Sequence, residues 1–156
     1  MRIQIAAVGR LRDGPEATLS TDYVARAAAL GRQIGVKAVE IVEVEGKPPG
    51  DPRAEASALY RATPDEARKI LLDERGAEWT SRQLAEKLAR WRDDGLSCVT
   101  FWIGGADGVS QSVRDNADEK LAFGRQTWPH RLVRVMISEQ IYRALTILCS
   151  TPYHRD

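Results

Sequence analysis

Residues 98–108 read Cys-Val-Thr-Phe-Trp-Ile-Gly-Gly-Ala-Asp-Gly, a mostly apolar run of strand length that ends directly in glycines. A strand with little polar alternation has both faces covered, which is the signature of a parallel sheet packed between helices. Glycines straight after such a strand let the chain turn sharply and bring its backbone close to a ligand. In open α/β sheets ligands sit beyond the carboxyl ends of the strands. The same turn also serves as a plain tight connection between strand and helix, and taken alone it does not decide between the two.

The rest of the chain repeats the alternation. Residues 2–8 form a strand closed by Gly9, and a helix is expected from Pro15 to Leu30 with Leu19, Tyr23, Ala27 and Leu30 on one face. Residues 37–45 are rich in β-branched side chains and read as a strand, and residues 46–50 as a loop. Asp51-Pro52 opens a helix that closes near Thr63-Pro64, with Asp as cap and Pro in the first turn. A third strand, residues 69–73, is expected to break at Glu74-Arg75-Gly76. Thr80 and Gln83 have capping-box spacing and open a helix with Leu84, Leu88 and Trp91 on one stripe, stopping at Gly95. Ser110 caps a short helix to Ala117, residues 121–123 make a fifth strand, and Pro129 opens a last helix that runs to Leu148. Alternating strands and helices predict an α/β fold with a parallel-rich sheet flanked by helices, and residues 1–156 are expected to form one domain.

The charge is nearly balanced, 23 basic against 22 acidic residues, so bulk charge does not announce a nucleic-acid binder, although a local basic patch stays open. The two cysteines, Cys98 and Cys149, lie in apolar segments and read as buried thiols, with neither a disulfide framework nor a metal site expected. No signal peptide is expected ahead of the first strand and no run reaches membrane-spanning length, so a cytoplasmic setting is expected. The last helix carries Leu132, Val133, Val135, Met136, Ile137, Ile141, Ala144, Leu145, Ile147 and Leu148 and leaves little polar surface. Such a helix is buried on most sides, either as a central core helix or against a second subunit, and a dimer is the favoured expectation. Glu139 and Arg143 are spaced to pair on its narrow polar strip.

The glycine turn lacks the lysine and Ser/Thr of a phosphate loop, and Asp107 would repel phosphate. Its spacing and late position also miss the dinucleotide fingerprint. Three strand-end segments, residues 72–76, 103–105 and 123–128, are placed to converge on one edge, where backbone groups would enclose a flat, uncharged moiety such as adenosine, with a sulfonium tolerated beside Glu74 or Asp107. At the chain end, Tyr153-His154-Arg155 supplies an aromatic face, a titratable group and a guanidinium. His130 reads as a helix-start residue, and Arg134 either as a solvated position or as facing the same cleft.

These segments together resemble one family. The matching pieces begin with Ile5-Ala6-Ala7-Val8-Gly9, Leu72-Asp73-Glu74-Arg75-Gly76 and Phe101-Trp102-Ile103-Gly104-Gly105. They continue with Thr127-Trp128-Pro129-His130, Leu132-Val133-Arg134-Val135, Glu139-Gln140-Ile141-Tyr142-Arg143-Ala144 and the terminal Pro152-Tyr153-His154-Arg155-Asp156. Their order is that seen in the ribosomal RNA large subunit methyltransferase H family, small SPOUT-class methyltransferases.

The resemblance implies an α/β knot, with the C-terminal part threaded as a deep trefoil, a rare exception to the no-knot rule. It implies a homodimer and an S-adenosyl-L-methionine site touched by Leu72, Gly104, Phe123, Gly124, Arg125, Gln126, Thr127 and Trp128. It also implies N3-methylation of pseudouridine 1915 in the 23S rRNA of the assembled 70S ribosome. The imide N3 must lose a proton, which makes His154 the candidate base, Arg155 the candidate anion stabiliser and Tyr153 a stacking or hydrogen-bonding partner. No metal and no membrane are expected. Two other readings stay open: a different α/β nucleotide-binding enzyme, and a non-enzymatic ribosome-binding factor.

Overall fold

The computed structural model describes residues 1–155; Asp156, the last residue of the tail motif, lies outside the described residues. Five strands, β1 (Arg2–Val8), β2 (Ala38–Val44), β3 (Arg68–Glu78), β4 (Cys98–Ile103) and β5 (Glu119–Ala122), form one sheet in the order β2-β1-β4-β3-β5. Every neighbouring pair is parallel. The helices are α1 (Pro15–Gly31), α2 (Pro52–Ala62), α3 (Ser81–Asp93), α4 (Gln111–Asn116) and α5 (His130–Leu148).

Strand side chains alternate between two apolar layers. Ile3, Ile5, Val99 and Phe101 pack with Ala27 of α1, Leu84 and Leu88 of α3, and Ile137 and Ile141 of α5. Ala6, Val8 and Trp102 face the other way, onto Ala56 and Leu59 of α2 and Val113 of α4. Both faces of β4 are therefore covered, which accounts for its apolar run. Its one polar residue, Thr100, donates to Gln4 Oε1 at 3.0 Å, and Gln4 Nε2 in turn donates to the Ala62 carbonyl at 2.9 Å. Buried polar groups paired in this way avoid the cost of an unmet hydrogen bond.

Local chemistry sets the helix starts as predicted. The Asp51 carboxylate accepts from the Ala54 N–H at 2.7 Å, Thr80 and Gln83 form a reciprocal capping box, and Ser110 caps α4.

Three expectations are corrected. Strand β3 does not break at Glu74: it continues to Glu78 through a register shift against β5, between Leu72 and Ala77. Gly76 permits this, since a Cβ there would lie 2.6 Å from the Lys120 backbone. The fifth strand lies earlier than predicted, at Glu119–Ala122, leaving Phe123 in the following loop. Helix α1 buries Ser20, Ala27 and Gly31, while Leu19 stays 45% exposed. Small residues face inward because α1 packs closely here: a Cβ on Gly31 would meet Val36 at 2.9 Å and Leu145 at 3.4 Å.

Helix α5 lies in the layer that also holds α1 and α3, and its Ile137, Ile141, Ala144 and Leu145 are fully buried within the chain. Each such large aliphatic contributes about 1.5–3 kcal/mol. This burial accounts for part of the apolar character of α5: Val133, Val135, Met136, Ile147 and Leu148 are only half-buried and Leu132 is exposed.

Candidate active site

The middle of β3, at its register shift, and the carboxyl ends of β4 and β5 open onto a cleft of about 770 Å³. Leu72, Asp73 and Glu74 of β3 form one wall, and Ile103 with the turn at residues 104–109 forms another. The loop after β5 and the first turn of α5, through His130 and Val133, close the third side. The three strand-end segments picked out from the sequence therefore converge. Of the eight residues expected at the cofactor, Leu72, Gly104, Phe123, Gly124, Gln126, Thr127 and Trp128 line the cleft, and Arg125 does not.

The glycine turn owes its composition partly to its own packing. A Cβ on Gly104 would lie 2.5 Å from Val109 Cγ1 and 3.1 Å from the Gly108 backbone. The Gly108 N–H donates to the Gly105 carbonyl at 3.1 Å, and Gly108 takes φ +80°. The tight connection and the cleft wall are the same object.

Two polar ties frame the cleft. Arg114 Nε donates to Asp73 Oδ2 at 2.8 Å, and the Asp73 side chain is only 5% exposed. Burial alone would raise the Asp73 carboxyl, but the Arg75 N–H and the Arg114 guanidinium more than reverse this and hold it below its ordinary value. Thr127 Oγ1 donates to Glu74 Oε2 at 2.6 Å, joining the β3 bulge to the loop after β5. His130, taken from the sequence as a helix-start residue, is that and also a cleft residue. Burial, with the charges of Arg131 and Arg134, lowers its pKa below the ordinary histidine value.

Arg134 takes neither of the positions expected for it. It is buried, and it turns away from the cleft toward β1 and β2, donating to Glu43 Oε1 at 2.5 Å and to the Gly9 carbonyl at 2.9 Å. The α5 start is thereby pinned to the ends of two strands.

The tail lies elsewhere. Helix α5 ends in a Schellman turn: Thr151 N–H donates to the Thr146 carbonyl, Ser150 N–H to the Ile147 carbonyl, and Ser150 holds φ 54°. The chain then folds back along α5 until the Tyr153 hydroxyl meets Glu139 Oε1 at 3.0 Å. Glu139 lies nine residues beyond His130, about 14 Å along the helix axis. Tyr153, His154 and Arg155 do not line the cleft of their own chain. Nothing in the local sequence marks this return, because Ser150 occupies a place where glycine is the usual signal.

Cys98 is buried as expected, Cys149 only partly so, and both are free thiols. Among the described residues, no group of His, Cys, Asp or Glu is arranged to hold a metal ion, and no helix is long and apolar enough to cross a membrane.

A family model described as "Predicted SPOUT methyltransferase" matches residues 1–154. The chain is 53% identical over 156 residues to a protein of Paracoccus denitrificans (strain Pd 1222) named Ribosomal RNA large subunit methyltransferase H, covering all of both chains. Proteins of the same name from Hyphomonas neptunium (strain ATCC 15444) and Cereibacter sphaeroides (strain ATCC 17025 / ATH 2.4.3) are each 52% identical over 155 residues, covering 99% of both chains.

Proposed function

Because the chain belongs to the SPOUT methyltransferase family, we propose that it methylates ribosomal RNA using S-adenosylmethionine, at N3 of pseudouridine 1915 in the 23S rRNA of the assembled 70S ribosome. The observation that carries this reading is the end-to-end match to relatives bearing the ribosomal RNA methyltransferase name. On the same reading the C-terminal part is threaded as a trefoil knot and the working unit is a homodimer.

The chemistry of the cleft supports the cofactor. Its lining combines apolar side chains, among them Leu72, Ile103, Leu121 and Phe123, with the carboxylates of Asp73, Glu74 and Asp107, and contains no lysine. That suits a flat adenosine joined to a cationic group and disfavours a triphosphate. Asp73 and Glu74 are engaged by Arg114 and Thr127, which leaves Asp107 to face the ligand's ammonium. The lowered pKa of His130 works against positive charge beside a sulfonium. When bound, the cofactor supplies an electrophilic methyl carbon.

The chain's own task is to orient the base and manage a proton. The imide N3 loses its proton to His154, and Arg155 stabilises the charge left on the ring. The tail folds back onto its own α5 well short of its own cleft, so in this reading it serves the cleft of the partner subunit.

The test is incorporation of labelled methyl from S-adenosylmethionine into 70S ribosomes that lack the modification, with an isolated hairpin as comparison. Label at N3 of pseudouridine 1915 in ribosomes, with little in the hairpin, is expected. Equal labelling of the two, or none in ribosomes, overturns the reading.

A further inference from the structure

Glu139 gathers an unusual number of donors for a residue outside the cleft. Its Oε1 accepts from Arg143 Nε at 3.0 Å, from Arg143 Nη2 at 2.6 Å and from the Tyr153 hydroxyl at 3.0 Å, and its Oε2 accepts from Gln140 Nε2 at 2.8 Å. An Arg–Glu pair at this spacing on a helix contributes only a few tenths of a kcal/mol by itself. What sets this one apart is the donor from a residue fourteen positions later, in the tail.

The remaining contacts extend from that bond. The Arg143 guanidinium lies 4.8 Å from the centroid of the Tyr153 ring, and the Tyr142 ring meets Tyr153 edge-on at 4.8 Å. Arg143 Nη1 is 3.5 Å from His154 Nδ1. A guanidinium only donates, so Nδ1 is the accepting nitrogen at that contact. Glu139 thus holds both the Arg143 guanidinium and the Tyr153 side chain that stacks beside it.

We propose that Glu139 is the positioning residue of the C-terminal tail, fixing Tyr153 and Arg143 and through them the direction in which His154 and Arg155 are presented to the partner's cleft. This rests on the reading of the tail as catalytic. It changes the role of Tyr153: its hydroxyl is engaged with Glu139, and it acts by anchoring the tail and not by touching substrate. Burial, with the bonds to Tyr23 and Glu139, pushes the phenol above its usual range and keeps it a protonated donor.

The experiment uses the full chain on 70S ribosomes and compares Glu139→Gln, Tyr153→Phe, their double variant and a chain lacking residues 153–156. Cofactor affinity by calorimetry and the kcat and KM of methylation are measured for each. Each single variant is expected to lower kcat about tenfold or more with cofactor affinity unchanged, and the double variant to fall no further than the worse single one. The coupling reports the contact itself, whereas a loss of kcat with cofactor affinity unchanged is what a purely structural role, which would weaken both, does not produce. Independent, multiplying losses, or full activity in Tyr153→Phe, overturn the proposal. If the shortened chain is inactive while Glu139→Gln keeps its kcat, the anchorage alone fails. If the shortened chain is fully active, the catalytic reading of the tail fails and the anchorage with it.

Discussion

Thr127 and Glu74 lie 53 residues apart in the chain, and the 2.6 Å bond between them links the β3 bulge to the loop after β5 across the cleft. Removing it with Thr127→Val loosens both walls without touching the core. One hydrogen bond contributes about 1 kcal/mol, so S-adenosylmethionine affinity is expected to fall about fivefold. Calorimetric titration measures this, and unchanged affinity would show the bond to be incidental.

Asp73 makes stability sensitive to acid. Its folded carboxyl ionises below the ordinary value of 3.8, because the Arg75 N–H and Arg114 outweigh the effect of burial. The stabilisation is complete above that ordinary value and is lost as pH falls through the folded one. Asp73→Asn is expected to cost about 1–3 kcal/mol at pH 7 and to narrow the gap between neutral and acid stability. Urea unfolding at both pH values checks it.

Much of the fold is readable locally. Asp51, Thr80 with Gln83, and Ser110 mark helix starts because a cap is satisfied within a few residues. The strand into Gly104 is equally legible, since both its covered faces and its tight turn leave marks in the sequence. The extension of β3 is not, because Gly76 is needed only against Lys120, which a distant strand brings to it. Leu19 misleads for a similar reason: periodicity favours the larger side chain, whereas close packing against α5 selects Ser20, Ala27 and Gly31. Within the site, the loops are legible and the distance from cleft to tail is not.

Ser150 holds a left-handed backbone without being glycine. Such a conformation costs an L-residue about 1–2 kcal/mol, partly offset by the extra freedom glycine has when unfolded. Ser150→Gly is expected to stabilise the protein by about 1 kcal/mol and raise Tm by about 2–4 °C, read by calorimetry. No rise would mean that the serine side chain compensates locally.

Gly104→Ala places a methyl 2.5 Å from Val109 Cγ1. Cofactor binding is expected to weaken at least tenfold, as overpacking commonly costs about 1–3 kcal/mol. Because the closest clash is with one side chain, Gly104→Ala with Val109→Ala should recover part of the loss in the same titration. No recovery would place the fault in the Gly108 backbone.

Separation of tail and cleft makes complementation possible. On the proposed homodimer, mixing a chain lacking residues 153–156 with the Gly104→Ala chain, after co-refolding, should restore about a quarter of the activity, since half of randomly formed dimers would be mixed and each would have one intact site. No recovery argues that the tail acts in its own subunit.

Helix α5 is made after all five strands, yet its Ile137, Ile141 and Leu145 complete the apolar layer over Ile3, Ile5 and Phe101. A growing chain advances about 5–20 residues per second, so for a time its sheet exists with one face lacking its middle helix. Chains stopped inside α5 should therefore clump or be degraded, and not persist as weak enzymes: the sheet is protected only once α5 has been made.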